Sequence, residues 1–364
     1  MEIAKLSKLI TPSGTMAISN KARVLREQGK PVIGFGAGEP DFPTPEYVVK
    51  DVQVAAEDTS NHKYSPVAGL TILKEEIVRT SQLYSGINVQ QENILVSNGG
   101  KHAILTTFMS ILNPGDEVLI PSPYWTTYPE AVKISGGNPI IVDTEFDDDF
   151  KVNTDQLDAL KTSKTKILVW VSPSNPTGVV YTKEEAEQIY NWAFENNVWI
   201  LSDELYEHLV YEGMTSPSPA QYDTELNNTI IINGVAKAYS MTGWRVGWII
   251  ANTDVIDMAK KIQSHATSNV SNISQIAAYS ALKNGLNETK IMKESFNRRR
   301  LYAIEEFSNI ENVNLIKSTG AFYLFPDVSY YSSNGVINGV HNSIDFCNWL
   351  LDEYFIAFVP GEVF

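Results

Sequence analysis

Lys237 stands in the run Asn233-Gly234-Val235-Ala236-Lys237-Ala238-Tyr239-Ser240-Met241-Thr242-Gly243-Trp244-Arg245-Val246-Gly247. Its neighbours are mostly small or apolar. A lysine in such surroundings sheds its proton more readily and becomes a nucleophile toward carbonyls. Arg245, framed by Gly243 and Gly247, offers a charged fork suited to a phosphate. The pair points to a lysine that carries an aldehyde with a phosphate tail. Asn175, in Ser172-Pro173-Ser174-Asn175-Pro176-Thr177-Gly178, and Asp203 and Tyr206, in Ser202-Asp203-Glu204-Leu205-Tyr206, follow earlier apolar runs. A proline-bounded turn would account for Asn175 by itself, and a helix N-cap for Asp203. Polar residues recurring after three successive strands argue instead for one site, because open α/β sheets bind ligands at the carboxyl ends of their strands.

The elements that must position these residues are short and apolar. Strands are expected at residues 94–97, 117–120, 139–142, 167–172, 198–202, 229–233 and 245–251, rich in Val and Ile and several apolar on both faces. Helical patterns at 100–112, 124–134, 154–160 and 183–196 separate them. The alternation predicts an α/β fold with a mainly parallel sheet and helices on both faces. Gly99-Gly100 ends the first strand and opens a helix, which places bare N–H groups where a phosphate could sit. A long helix is expected at 288–307, with Arg298-Arg299-Arg300 on a solvated face. Residues 320–326 and 355–360 read as further strands. The expected division is an N-terminal arm and part of a small domain (1–45), a large domain (46–285) and the rest of the small domain (286–364).

Composition narrows the function classes. The 364 residues are 43% hydrophobic and 20% charged, ordinary for a globular chain, with a formal net charge of -15. Such a charge repels nucleic-acid backbones. The single cysteine, Cys347, cannot form an intrachain disulfide and reads as a buried helix residue. None of His62, His102, His208, His265 and His341 falls in a triad or metal-ligand pattern, and no metal site is expected. The acidic stretch Asp143 to Asp149 lacks calcium-loop spacing and reads as a solvated turn. No membrane span or signal peptide is expected, which makes the cytoplasm the default location.

Several motifs in order carry a resemblance: Gly36-Ala37-Gly38-Glu39-Pro40-Asp41-Phe42, Lys63-Tyr64-Ser65-Pro66, Gly99-Gly100-Lys101, Ser122-Pro123-Tyr124-Trp125, Asn175-Pro176-Thr177-Gly178, Asp203-Glu204-Leu205-Tyr206 and the Lys237 segment. The chain resembles a class I aminotransferase of the pyridoxal-phosphate fold-type-I superfamily. It is most similar to the bacterial branch of aspartate and aspartate/prephenate aminotransferases. The resemblance implies a seven-stranded, mainly parallel sheet in a large domain beside a smaller α/β domain, with pyridoxal 5'-phosphate as cofactor. It implies that Lys237 holds the cofactor covalently and then moves a proton. Asp203 would pair with the ring nitrogen, and Asn175 and Tyr206 would bond the phenolic oxygen. Trp125 would stack on the ring, while Arg245 and the Gly99-Gly100 backbone would bind the phosphate. Tyr64 would reach the phosphate from a neighbouring subunit, implying a homodimer. Gly38, Lys101, Trp125 and Asn175 would line the amino-acid site, with Lys101 also beside the cofactor and facing the distal carboxylate of aspartate or glutamate.

Two departures qualify this expectation. The sequence closes at Val359-Pro360-Gly361-Glu362-Val363-Phe364, before the family's strand with the arginine for the substrate α-carboxylate. Truncation is the favoured reading, over substitution by another arginine or loss of transamination. Ending at Phe364, the protein is expected to bind cofactor and turn amino acids over weakly. Ala236 and Gly234 also stand where some relatives have a phosphate-binding serine, for which Ser240 or backbone groups could compensate. The alternative activities are a prephenate or aromatic aminotransferase, a carbon–sulfur lyase on the same fold, or a binding protein built on a retired enzyme domain.

Overall fold

The computed structural model describes residues 3–11, 14–36, 38–333 and 335–364; the side chains of residues 14–17 are also left undescribed, and Ala37 of the first motif lies outside the described residues. Seven strands form the central sheet: β1 (Ile94–Ser97), β2 (Glu117–Pro121), β3 (Asn138–Val142), β4 (Thr165–Val171), β5 (Trp199–Asp203), β6 (Thr229–Gly234) and β7 (Gly247–Ile250). Their spatial order is β1-β7-β6-β5-β4-β2-β3, and β7 alone runs antiparallel to its neighbours.

Both faces of this sheet are buried, which is why its strands read as continuous apolar runs. Val118 and Ile120, with Ile167, Val169 and Leu201, pack on one face against the helices Gly100–Ile111 and Thr127–Ile134. Leu119, Leu168, Trp170 and Ile200 point the opposite way, against the helix Lys183–Glu195. Alternate residues serve alternate faces, as the pleat requires. Each fully buried Leu or Ile contributes on the order of 2 kcal/mol to stability.

The N-terminal and C-terminal parts of the chain meet. Ile33–Gly34 pairs in parallel with Ile356–Ala357, and Ile18 and Ala22 pack with Cys347, Leu351 and Ala357. Cys347 is buried on the helix Ser343–Tyr354, and burial pushes its thiol up to about 12, so it is inert. No described helix is long and apolar enough to cross a membrane.

Three sequence expectations are corrected here. Residues 320–326 form no continuous strand, because their backbone is committed to large-domain loops. Gly320 N–H donates to Gly178 O at 2.7 Å and Ala321 N–H to Leu209 O at 2.7 Å, leaving only Pro326–Asp327 to pair with Asn314–Leu315. Residues 355–360 shrink to the two-residue strand already described. The Arg298-Arg299-Arg300 run is solvated only in part: Arg298 and Arg299 are exposed as expected, but Arg300 is not. Arg300 is buried on the helix Asn287–Ser308 and donates to Ser318 O (2.6 Å) and Glu212 (2.7 Å), and Arg299 pairs with Asp41 (2.8 Å).

Candidate active site

The polar residues gather at one edge of the sheet. Asn175 follows β4, Asp203 closes β5 and Lys237 follows β6 by three residues, all at carboxyl ends. Arg245 precedes its strand instead. It reaches the same edge because β7 is antiparallel, so Gly234 of β6 lies opposite Gly247 of β7. A side chain at Gly247 would press within 2.8 Å of the Gly99–Gly100 backbone, so glycine lets β7 enter beside the N-terminus of the Gly100–Ile111 helix.

That helix start and Arg245 form an anion hole. Gly99 is the N-cap at φ 83, and a Cβ there would sit 2.6 Å from the Arg245 guanidinium. First-turn N–H groups have no intrahelical acceptor, and Gly100 and Lys101 line the cleft. Arg245 donates to Thr242 O at 2.9 Å and approaches Asn98 O at 3.5 Å, and it has no carboxylate partner among the described residues. Ser240 does not supplement the hole, since its hydroxyl donates to Phe42 O on the N-terminal loop.

Lys237 lies deeper. Burial lowers its ammonium to about 8, against the attraction of Asp203 and Glu39, and Arg245 repels it further. Its Nζ donates to Gly38 O and lies 5.4 Å from the centre of the Tyr206 ring. Near neutral pH about a tenth of such a lysine is the free amine that carbonyl attack requires, far more than for an ordinary lysine. Asp203 is 3% exposed. It accepts from the Tyr128 hydroxyl at 2.7 Å and from Leu205 N–H at 3.3 Å, so it ends a strand and does not cap a helix. Burial raises its carboxyl, and the Tyr128 bond, the Leu205 N–H and Lys237 oppose that rise.

The remaining predicted residues divide. Asn175, Trp125, Tyr206, Gly38 and Lys101 line the same cleft of about 1480 Å³ as Lys237, Asp203 and Arg245. The Asn175 amide has no protein partner among the described residues. Lys101 Nζ sits 5.0 Å over the Trp125 ring, and its ammonium is lowered by partial burial and then by Arg245. Tyr64 is 91% exposed and does not line this cleft. Sequence reasoning passed over Tyr128, Tyr323 and Glu39. Tyr128 follows Trp125 by three residues and meets its ring edge-on at 5.7 Å, a spacing that could have flagged it. Tyr323, whose hydroxyl bonds that of Tyr206, comes from a distant segment with no local signal.

A lysine amine of lowered basicity, an anion hole beside it and a buried carboxylate fit a phosphorylated pyridine aldehyde. No described group of three or more His, Cys, Asp or Glu is placed to hold a metal. The profile of the family described as "Aminotransferase class I and II" matches residues 30–364. The chain belongs to that family. Its members depend on pyridoxal phosphate, and so does this aminotransferase. A Streptomyces avermitilis protein named aspartate aminotransferase is 45% identical over 98% of this chain and 88% of its own length. A probable aspartate/prephenate aminotransferase of Aquifex aeolicus is 38% identical over 98% and 89%. The aspartate aminotransferase structure from Rhizobium meliloti superposes with a TM-score of 0.94 at 34% identity, over 100% of this chain and 92% of the other. That of Thermus thermophilus with maleate gives 0.93 at 34%, over the same shares. The aminotransferase is thus a fold-type-I enzyme.

Proposed function

We propose that the chain transfers the amino group of L-aspartate or L-glutamate to a 2-oxo acid such as 2-oxoglutarate. The observation that carries the proposal is the convergence of Lys237, Asp203 and Arg245 on one cleft, with Lys237 lowered to about 8. Bound pyridoxal phosphate supplies a ring that accepts electron density from the substrate Cα. Lys237 would hold it through its side-chain amine, and the same amine, when free, would move the proton at the substrate Cα as general base. Asp203, oriented by Tyr128, keeps the ring nitrogen protonated, and Asn175 and Tyr206 donate to the phenolic oxygen. Trp125 covers the ring, and Arg245 with the Gly99-Gly100 N–H groups holds the phosphate.

Specificity rests on Lys101, an ammonium in the cleft with no carboxylate partner among the described residues, placed to meet a distal carboxylate. The relatives named aspartate aminotransferase, and the Thermus thermophilus protein solved with maleate, a dicarboxylate, support this choice. Gly38 would present its backbone to the substrate once Lys237 leaves its carbonyl. Tyr64 would serve the site of a second copy in a homodimer, and a cytoplasmic location fits such a metabolic role. We further propose the domain division 1–45, 46–285 and 286–364, supported by the pairing of Ile33–Gly34 with Ile356–Ala357.

The test is single-turnover kinetics with aspartate, glutamate, phenylalanine and arogenate, the amino acid that corresponds to prephenate, on parent and Lys101→Met. The parent should favour the dicarboxylic amino acids at least tenfold, and Lys101→Met should erase that preference, at a loss of about 1.5–3 kcal/mol for a charged hydrogen bond. Faster reaction with phenylalanine or arogenate would replace this reading with the aromatic or prephenate one.

A further inference from the structure

Tyr206 has one hydroxyl proton to give, and the proposed function needs it aimed into the cleft. The Tyr206 hydroxyl is hydrogen-bonded to the Tyr323 hydroxyl, and this is the only hydrogen bond of the Tyr323 side chain among the described residues. The two rings meet near edge-on at 5.6 Å, and Phe322 packs against both. Tyr323 also flanks Gly38, since a Cβ on that glycine would come within 3.3 Å of its hydroxyl.

We propose that Tyr323 is a positioning residue: its hydroxyl donates to Tyr206 and leaves the Tyr206 proton free to point at the cofactor's phenolic oxygen. Either oxygen could donate on geometry alone. A Tyr206 proton turned toward Tyr323 would leave the Tyr323 proton with no acceptor among the described residues and the phenolic oxygen without the Tyr206 bond, so the arrangement that serves both hydroxyls has Tyr323 giving. A hydroxyl that accepts one hydrogen bond donates a stronger one.

The segment bearing Tyr323 gives this contact a second consequence. Thr319 and Gly320 N–H both donate to Gly178 O, in the loop that carries Asn175, and Ala321 N–H donates to Leu209 O, just past Tyr206. The Tyr211 hydroxyl donates to Ala321 O. One short stretch therefore fixes both residues assigned to the phenolic oxygen. The ionisable groups around the tyrosine pair are Asp203 and Tyr128 from the sheet side, Lys237 from the β6 loop, and Glu39 and Arg245 acting through Lys237.

The inference rests on the proposed function, and its test separates the two. Hydrogen bonds donated to a phenolate lower its hold on a proton. Weakening the Tyr206 bond should therefore raise the pH midpoint of the cofactor's visible absorbance. Tyr323→Phe keeps the ring contacts, and a thermal melt verifies its fold. In cofactor-loaded protein, Tyr323→Phe should raise the midpoint by about 0.5 pH unit or more. Tyr206→Phe should raise it further, and the double variant should match Tyr206→Phe alone. An unchanged midpoint in Tyr323→Phe, or an equal added shift in the double variant, would overturn the inference while leaving the function standing. A parent protein with no titrating visible band would overturn both.

Discussion

Glu204 shows what one buried residue contributes beside the site. It is 3% exposed, and its Oε1 accepts from Ser202 at 2.7 Å and Ser218 at 2.5 Å. Burial, aided by Glu207, pushes its carboxyl up to about 8. While Asp203 faces the cleft, its neighbour is therefore held as an uncharged acid at neutral pH. The folded form keeps its proton more tightly than the unfolded form. The stability this gives is fully present below the ordinary glutamate value of 4.5 and is lost as pH rises through about 8. Thermal melts of the parent and Glu204→Gln between pH 5 and 9 check this. The melting temperature of the glutamine variant should gain on the parent up to about pH 8 and hold a constant difference above it. Parallel curves would show that Glu204 is ionised in the fold. The adjacent Asp203 and Tyr206 could be singled out from sequence because they follow a strand at a sheet edge. The charge state of Glu204 could not, because it depends on which side of β5 is dry.

At the scale of elements, the sheet was legible because its strands are apolar on both faces, as Val118-Leu119-Ile120 illustrates. Arg245 was legible as a candidate for the site, but the reason it reaches the edge was not: that depends on β7 running antiparallel. The 320–326 segment misled, since Ala-Phe-Tyr-Leu-Phe has strand composition while its N–H groups serve loops around the site. Arg300 is buried, although its sequence neighbours are arginines and suggest solvent. Arg300 donates to Ser318 O and pairs with Glu212, which Lys317 also contacts at 2.6 Å. Arg300→Met should thus destabilise the fold by about 2–4 kcal/mol, chiefly through the unsatisfied Ser318 carbonyl. Urea unfolding measures this, and a loss below about 0.5 kcal/mol would show that the contact carries no weight.

The whole molecule brings three basic side chains to one cleft of an acidic chain. Against a net charge of -15, Lys101, Lys237 and Arg245 line one cleft, and under the proposed function Lys237 and Arg245 serve the cofactor while Lys101 serves the substrate. Tyr64 is 91% exposed and away from this cleft, and the proposed homodimer would bring it to another copy's site. Sedimentation of the cofactor-loaded protein should give a dimer, and a monomer with full activity would remove that role from Tyr64. The central claim is that Lys237 carries the cofactor for transamination. The most direct measurement is the visible spectrum of the loaded protein, titrated with L-aspartate and then 2-oxoglutarate, with peptide mapping after borohydride reduction. The visible band should fade with aspartate and return with 2-oxoglutarate, and reduction should leave the cofactor on Lys237. A band indifferent to aspartate, or a label on another lysine, would contradict it.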